Sequence, residues 1–507
     1  MITTLNYQQS AGVGEKVFQG SRNRFQQTSE MSDQVRKVSR LPHDKGIELL
    51  LSVPAGLEDV AVSRLPPELL QVATRISYRP SSGYLTVVLH DVDSREKEQA
   101  ITLAISNLVR RPPLCIFAAY ISLGRIEVPR DIFEDPKDLL DYINNGFRRQ
   151  QYSEMSCQEG STVQAVEGSD CTPDMGLHWQ DALSVLQCTP SPLAERLSSI
   201  DSTPIRFRAS FDRGGFQHKG VRSQDLAAGL GGVVGKLFPS WKVDLTNFDI
   251  EVMGRWTLET SNNITTIRNP NPNVGQQDDP ESCSSMDEQR PTTRMGVEMQ
   301  VGMALPLALS TCPHRFRPKD GRTSLRMEIA FTLLALASPQ PGNIVMDLCS
   351  GVGTIPIVGA IHYPTSVFIG LEVLPHNAES AGENARGMIN RVLQEESNSM
   401  AFMQPDLLVG DARAVCWRSN SVDLIVSDLP WGQRESSHLY NCKLYPRLVR
   451  EVIRLLRVGG RAVLVTGERK LLLRQLDAPF AKPYLRVLQK REITIGFKVM
   501  VFEVLRV

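Results

Sequence analysis

The sequence predicts an α/β protein whose carboxyl-terminal half forms a doubly wound parallel sheet. Apolar strands alternate with helical segments from about residue 324 onward, and this alternation is typical of parallel sheets covered by helices on both faces. Four of the predicted strands end in an acidic residue. Because open α/β sheets bind ligands at the carboxyl ends of their strands, these acids predict a ligand site.

The predicted elements of this half follow one another without long gaps. They are a helix at 324–337, a strand at 344–348, a glycine turn with its helix, a strand at 367–373, a helix at 376–396, strands at 407–409 and 422–427, a helix at 445–456, a strand at 461–466, and a strand-like run at 491–507.

Residues 426–432, Val-Ser-Asp-Leu-Pro-Trp-Gly, are the most informative segment of the chain. Asp428 falls at the carboxyl end of a buried strand. Pro430 lacks an N–H and bends the chain, which aims the backbone carbonyl of Leu429 into the crevice beside the carboxylate. Trp431 offers an aromatic face for stacking. Two acceptors and one ring predict a site for a planar nucleobase amine.

A glycine turn lies upstream, where residues 344–357 form a strand that ends at Asp347 and a helix that starts at Thr354. Gly351 and Gly353 between them allow close approach of the backbone to a ligand. The turn lacks the third glycine of a dinucleotide fingerprint and the lysine of a P-loop. Cys349 inside this loop is predicted to be a small packing residue rather than a nucleophile.

Two further acids follow at the ends of the next strands. Glu372 comes twenty-five residues after Asp347, about where an acidic side chain accepts hydrogen bonds from ribose hydroxyls. Asp411 ends the strand at 407–410. The spacing therefore predicts a nucleoside-containing ligand.

Composition sets wider limits. The chain has 507 residues, enough for two or three domains, and 56 basic against 56 acidic residues, so no global positive charge indicates nucleic acid. On composition alone, a neutral metabolic enzyme fits equally well. The nine cysteines are dispersed without zinc-ligand spacing, and no apolar stretch is long enough to cross a bilayer. These features predict a soluble, intracellular protein with no metal site.

The carboxyl-terminal half resembles the class I (Rossmann-like) S-adenosylmethionine-dependent methyltransferases. The matching motifs are VMDLCSGVGT at 345–354, GLEV at 370–373, GDAR at 410–413 and SDLPWG at 427–432. The last is similar to the signature of enzymes that methylate exocyclic or amide nitrogens, although the family more often has Phe or Tyr where this chain has Trp431. Segments 323–337 and 441–470 resemble the THUMP-bearing guanosine methyltransferases.

The amino-terminal half extends the resemblance. Residues 207–256 look like a THUMP domain, an RNA-binding module, and residues 47–65 resemble the ferredoxin-like segment that precedes it. The predicted organisation is a disordered tail at 1–45, a ferredoxin-like region with an inserted loop at 46–204, a THUMP domain at 205–258, a flexible linker at 259–295 and the methyltransferase domain at 296–507. The predicted RNA contacts are Arg213, Lys219, Arg222 and Lys242.

The resemblance implies a set of roles. S-adenosylmethionine is the implied cofactor, held by Asp347, Cys349, Gly351, Gly353, Thr354, Glu372, Asp411 and Asp428, with Arg326 a weaker candidate; Asp428, Leu429, Pro430 and Trp431 would act on the target amine. The implied reaction is N2-methylation of guanosine in a structured small RNA, either a transfer RNA or a spliceosomal small nuclear RNA. The implied location is the nucleus, with the cytoplasm as the alternative.

A partner is also implied. Relatives resemble enzymes that need a small zinc-binding activator subunit, which adds a strand at the edge of the methyltransferase sheet, here at 407–409. Two other functions stay open from the residues: a protein glutamine methyltransferase, which would have no use for a THUMP module, and an inactive RNA-binding scaffold, which would have no need of the four acids.

Overall fold

The computed structural model describes residues 46–147, 177–198, 203–216, 218–259, 264–268, 296–308, 318–319, 324–395, 403–432 and 437–507. Within these ranges the strands form one nine-stranded and one seven-stranded sheet. None of the helices described is both long enough and apolar enough to span a membrane. The predicted tail, the predicted inserted loop and most of the predicted linker lie outside the described residues.

The nine-stranded sheet has the order β6-β5-β7-β9-β4-β1-β3-β2-β8. Its strands are β1 Glu48–Ser52, β2 Ala73–Tyr78, β3 Tyr84–Leu89, β4 Ala118–Val128, β5 Arg206–Asp212, β6 Lys242–Val243, β7 Ile250–Glu259, β8 Thr265–Arg268 and β9 Gly296–Ala304. The helices of this half are α1 Glu58–Val62, α2 Pro67–Val72, α3 Arg95–Arg110, α4 Arg130–Glu134, α5 Pro136–Asn144, α6 Trp179–Gln187, α7 Pro192–Ser198 and α8 Ser223–Leu237.

Strands β8 and β9 correct the predicted boundaries of the linker and the catalytic domain. The sequence assigned β8 to a linker and β9 to the methyltransferase domain. In the structure, β8 pairs with β2, and β9 lies between β4 and β7 as an antiparallel partner of both. Met299, Val301 and Met303 of β9 are fully buried in the core of the first sheet. The sequence analysis missed these two strands because the segments on either side of them are polar.

The seven-stranded sheet has the order β12-β11-β10-β13-β14-β16-β15. Its strands are β10 Ile344–Asp347, β11 Val367–Glu372, β12 Asp406–Val409, β13 Val422–Asp428, β14 Leu456–Thr466, β15 Leu485–Thr494 and β16 Lys498–Arg506. The accompanying helices are α9 Met327–Ala337, α10 Thr354–His362, α11 Pro375–Glu395, α12 His438–Leu455 and α13 Arg469–Leu476. Strands β10 to β14 pair in parallel, as predicted.

The last part of the chain differs from the prediction of a single strand. Residues 491–507 contain the end of β15, a tight turn and all of β16, and β16 runs antiparallel to both β14 and β15. Gly496 has a φ of 75° and allows the reversal, and the N–H of Ile495 donates to the Phe497 carbonyl across the turn at 3.0 Å. Helix α12 also starts earlier than predicted, at His438.

The two sheets meet through the segment around α1. Leu57 and Val60 are buried in the same apolar cluster as Ile493 and Val499 of the seven-stranded sheet. Arg491 donates to both carboxylate oxygens of Asp59 at 2.9 and 2.8 Å. The nine-stranded sheet with helices α1 to α8, the amino-terminal module, therefore packs directly on the hairpin formed by β15 and β16.

Candidate active site

A cavity of about 830 Å³ lies at the carboxyl ends of the parallel strands. Strands β10 and β13 are neighbours there while β11 continues on the other side of β10, so the order of the sheet reverses at this point, where open α/β sheets bind ligands. The cavity wall includes ten predicted site residues: Asp347, Cys349, Gly351, Thr354, Glu372, Asp411, Asp428, Leu429, Pro430 and Trp431.

Gly353, a predicted cofactor residue, is not among the residues of the cavity wall. It has a φ of 84°, and a Cβ there would lie 3.0 Å from Ala381 Cβ and from Ile357 Cδ1. Its left-handed conformation starts helix α10 directly before Thr354. Gly353 therefore shapes the loop without facing the cavity.

Asp347 is buried at the end of β10, where its Oδ1 accepts from Ser427 Oγ at 2.7 Å and from the Cys349 N–H at 3.1 Å. Burial is the main cause that raises the pKa of this carboxyl to about 7. A positively charged ligand group nearby would favour its ionised form. Burial also raises the pKa of the Cys349 thiol, as expected of a packing residue rather than a nucleophile.

Glu372 connects the glycine loop to the end of β11. Its Oε2 accepts from the Gly351 N–H at 3.0 Å, and its Oε1 accepts from the Leu374 N–H at 2.9 Å. These two hydrogen bonds fix the carboxylate at the cavity wall. Each carboxylate oxygen has a second lone pair, so a diol can still be bound.

Asp411 is held by a residue that the sequence did not single out. Arg413 donates to both of its carboxylate oxygens through Nε, at 2.9 Å each, and through Nη2 to Oδ2 at 2.6 Å. The hydrogen bond from Arg413 is the main cause that lowers the pKa of Asp411. Arg413 therefore favours the ionised form of Asp411 and sets the orientation of its carboxylate.

Asp428 and Trp431 contact each other at the end of β13. The indole Nε1–H of Trp431 donates to Asp428 Oδ1 at 3.0 Å. The Trp431 ring is half-buried and lies edge-to-face with Phe497, with the ring centroids 5.0 Å apart. The sequence predicted a stacking surface at Trp431 and did not predict this hydrogen bond, which a phenylalanine at this position could not make.

Side chains of helix α12 hold the bend after Asp428 in place. The Pro430 carbonyl accepts from Asn441 Nδ2 at 2.9 Å and from the Tyr445 hydroxyl at 2.7 Å. Gly432 has a φ of 74°, and a Cβ there would lie 2.9 Å from Glu468 Oε1. These contacts give Leu429, Pro430 and Trp431 one defined path.

Several cavity residues escaped the sequence analysis. They are Ser324, Leu325, Ser350, Asn377, Ser437, Tyr440, Leu444 and the turn Ile495, Gly496 and Phe497. The turn comes from the hairpin that the prediction merged into one strand, and the glycine in an otherwise alternating apolar run was the available signal. Arg326, the weaker candidate, is not among the wall residues; it lies over the Phe117 ring at 4.1 Å.

The predicted RNA contacts have different environments. Lys219 and Lys242 are exposed, and Arg222 pairs with Asp225 at 3.0 Å while its side chain stays 75% exposed. Arg213 instead donates to the Val221 carbonyl at 2.7 Å. Arg213 therefore closes its own loop, and the other three side chains face solvent.

Comparisons with known proteins show what the chain is similar to. Residues 314–482 match the family model described as RMKL-like, methyltransferase domain. The chain is 30% identical over 271 residues to a Bos taurus protein named tRNA (guanine(6)-N(2))-methyltransferase THUMP3, covering 53% of this chain and 45% of that one. It is also 30% identical over 146 residues to Bos taurus U6 snRNA (guanine-N(2))-methyltransferase THUMPD2, covering 28% of this chain and 26% of the relative.

A solved structure gives the same result for the fold. The crystal structure of TrmN from Thermus thermophilus matches with a TM-score of 0.51 and 18% identity, covering 91% of this chain and 100% of that one. The class I methyltransferase fold is therefore confirmed, as is the predicted relationship to the THUMP-containing guanosine methyltransferases, THUMP domain-containing protein 2 among them. The chain spans less than half the length of the two curated relatives.

Proposed function

We propose that the chain is an S-adenosylmethionine-dependent RNA methyltransferase that forms N2-methylguanosine in a structured small RNA. The observation that carries this proposal is the Asp428 carboxylate in the wall of the same cavity as the glycine loop and Glu372. Asp428, the acceptor for the amine, and Glu372, the acceptor for a nucleoside, thus line the same cavity. The relatives are named for transfer RNA and for U6 small nuclear RNA, which supports either RNA as the substrate and supports a nuclear location for the second.

The residues present fit the cofactor. Glu372 can accept from both ribose hydroxyls, Asp411 from the adenine amine, and Asp347 can favour the cationic amino acid end. Nothing bulky projects from Gly351, where a Cβ would meet no atom within 4 Å. The cofactor, when bound, supplies an electrophilic methyl group.

The protein has to orient the guanine amine, whose lone pair is delocalised into the ring. Asp428 and the Leu429 carbonyl would each accept a hydrogen bond from that amine and aim its nitrogen at the methyl group. A fixed carboxylate also stabilises the positive charge that develops on nitrogen. Leu429 is buried and its N–H donates to the Val465 carbonyl at 2.9 Å, which holds this part of the site rigid.

A methyl transfer assay tests the proposal against its alternatives. Purified chain is incubated with radiolabelled S-adenosylmethionine and either total RNA or total protein, and modified nucleosides are separated after RNA digestion. We expect label in N2-methylguanosine. Label in protein would support the glutamine methyltransferase, and no transfer to either pool, with RNA binding intact, would support the scaffold.

Trp431 gives a prediction that separates its two possible roles. Because phenylalanine keeps a stacking ring but loses the indole N–H, we expect Trp431→Phe to lower kcat by about tenfold or more, the value of a hydrogen bond to a charged acceptor. The affinity for S-adenosylmethionine should not change. If Trp431→Phe keeps normal turnover while Trp431→Ala loses it, stacking alone is the role of this residue.

The exposed lysines of the predicted THUMP region give a second prediction. Reversing Lys219 and Lys242 to Glu should weaken RNA binding and reduce its dependence on salt, because each lost phosphate contact removes counterion release. The measurement is RNA affinity across a salt series, with Lys482→Glu in the methyltransferase half as the control. Arg213 is a poor choice for this test because its reversal would open its own loop. An unchanged salt slope would contradict RNA contact at these lysines.

The open edge of the second sheet gives a third prediction. Strand β12 forms one edge, and Leu408 and Val409 on it are 42% and 61% exposed, which suits strand addition by a partner. We propose that a small zinc-binding activator subunit binds there. Expressed alone, the chain should be poorly soluble or inactive, and co-expression with such a subunit should give an active heterodimer.

A matched pair of variants locates that partner. Val409→Lys should weaken the heterodimer in a pull-down or in size-exclusion chromatography. Val458→Lys should not, although Val458 is also apolar and is 70% exposed on the same half. Full activity of the isolated, monodisperse chain would remove the reason for the partner.

A further inference from the structure

The turn between β15 and β16 forms a part of the cavity wall that the cofactor and amine residues do not explain. Ile495, Gly496 and Phe497 all line the cavity, and Phe497 keeps 36% of its surface exposed. A partly exposed aromatic ring at a cavity wall can stack on a planar ligand. The adenine end of a cofactor has its acceptor at Asp411, at the end of a different strand.

Phe497 is on the amine side of the cavity. Its ring meets the Trp431 ring edge-to-face with centroids 5.0 Å apart and an interplanar angle of 87°, and Trp431 donates to Asp428. The three side chains therefore form one wall with two aromatic rings and one carboxylate. A purine whose exocyclic amine reaches Asp428 would place its ring against this wall.

The end of β15, directly before the turn, contacts the amino-terminal module. The Thr494 N–H donates to the Ala55 carbonyl at 3.2 Å, and Arg491 forms its two-pronged ion pair with Asp59. Gly56 has a φ of 92°, and a Cβ there would lie 2.1 Å from the Glu492 carbonyl oxygen. The backbones of residues 55–56 and 492–494 thus touch, with no room for a side chain between them.

The amino-terminal loop is itself rigid. The buried Glu58 accepts from the Gly56 N–H at 3.0 Å and from the Gly83 N–H at 2.7 Å, which ties it to the start of β3. Leu57 and Ile493 are buried together in one apolar cluster. A position set in the first sheet is therefore transmitted to the turn through a short series of fixed contacts.

We propose that Phe497 stacks on the target guanine and that residues 55–59 of the amino-terminal module hold the Ile495–Phe497 turn in the position that this contact requires. The proposal rests on the proposed function and assigns its base contact. Phe497 touches substrate, whereas Asp59 is a positioning residue that acts through Arg491. The module that would bind the RNA thereby also sets the wall against which the target base lies.

Steady-state methyl transfer by the full chain tests both parts. Methylation is measured with RNA varied at saturating S-adenosylmethionine, together with the cofactor dissociation constant and the melting temperature of each variant. Phe497→Leu should lower kcat/KM for RNA by about five- to a hundredfold, the range seen for loss of one base stack, and leave cofactor affinity within about twofold. A kcat/KM within about twofold of the parent would overturn the base contact.

Variants of Asp59 test the positioning role of its ion pair with Arg491. Asp59→Asn keeps the shape but removes the charge, and we expect kcat to fall about fivefold or more, within the range for a hydrogen-bonded ion pair, while KM for RNA stays the same. Asp59→Glu should restore kcat. The matched control is Arg469→Gln, which removes the ion pair between Arg469 of helix α13 and Glu492 of the same hairpin, 3.6 Å apart, and changes no residue of the amino-terminal module.

Equal kcat values for Asp59→Asn and Arg469→Gln, measured well below both melting temperatures, would overturn the anchoring role. A lower melting temperature with normal kcat would also overturn it, since that result describes a purely structural contact. Failure of the proposed function is distinguishable, because the unmodified chain in the same experiment would then show no transfer to RNA at all.

Discussion

Asp428→Ala is expected to abolish methyl transfer, with kcat falling about a thousandfold, because the variant loses both the acceptor for the amine and the charge that stabilises developing positive charge on nitrogen. The dissociation constant for S-adenosylmethionine should stay within a few fold, since this interaction acts mainly in the transition state. The loss should appear at saturating concentrations of both substrates.

Controls separate this effect from damage to the site. Asp477→Ala changes an exposed aspartate in the same half that is not in the cavity wall, and it should behave as the parent. Circular dichroism melting reports whether the variant keeps the overall fold and stability of the parent. Substantial turnover by Asp428→Ala on guanosine-containing RNA would reduce the segment 428–432 to a structural turn.

Glu372→Ala should show the opposite pattern. The side chain would accept two hydroxyl hydrogen bonds, each worth about 1.5 to 3 kcal/mol for a charged acceptor, so cofactor affinity should fall by a hundredfold or more, as about 3 kcal/mol implies. Once cofactor is saturating, kcat should recover much of its value. The measurement is isothermal titration with S-adenosylmethionine or its demethylated product.

Glu372 also braces the glycine loop through Gly351 and Leu374, so a second variant is needed. Glu372→Gln keeps an oxygen acceptor for one backbone N–H and removes the charge. It should lower the melting temperature less than Glu372→Ala does while still weakening cofactor binding. Affinity within about twofold of the parent for both variants would contradict the ribose assignment.

The sequence was sufficient for the parts of the site that are local in the chain. Asp347, Glu372, Asp411 and Asp428 each end an apolar strand, and in parallel sheets the strand ends meet at one edge. Their convergence on one cavity could therefore be predicted without knowing any side-chain contact.

Contacts between distant segments could not be predicted in the same way. Phe497 lies in the turn between β15 and β16. It reaches Trp431 only because β16 pairs antiparallel with both β14 and β15. Arg213 resembles any exposed arginine in the sequence, and its hydrogen bond to Val221 depends on the path of one loop. The indole hydrogen bond to Asp428 depends on a rotamer. None of these features leaves a periodic pattern.

Strand β9 has a consequence for how the molecule is made. It fills the space between β4 and β7, and its partner Val128 is far earlier in the chain than Val297. During synthesis from the amino terminus, the edges of β4 and β7 that pair with β9 stay unpaired until residue 304 has left the ribosome. Such edges expose hydrogen-bonding groups to other chains. The nascent amino-terminal module therefore needs protection until β9 arrives, and a fragment that ends before residue 296 should aggregate rather than fold.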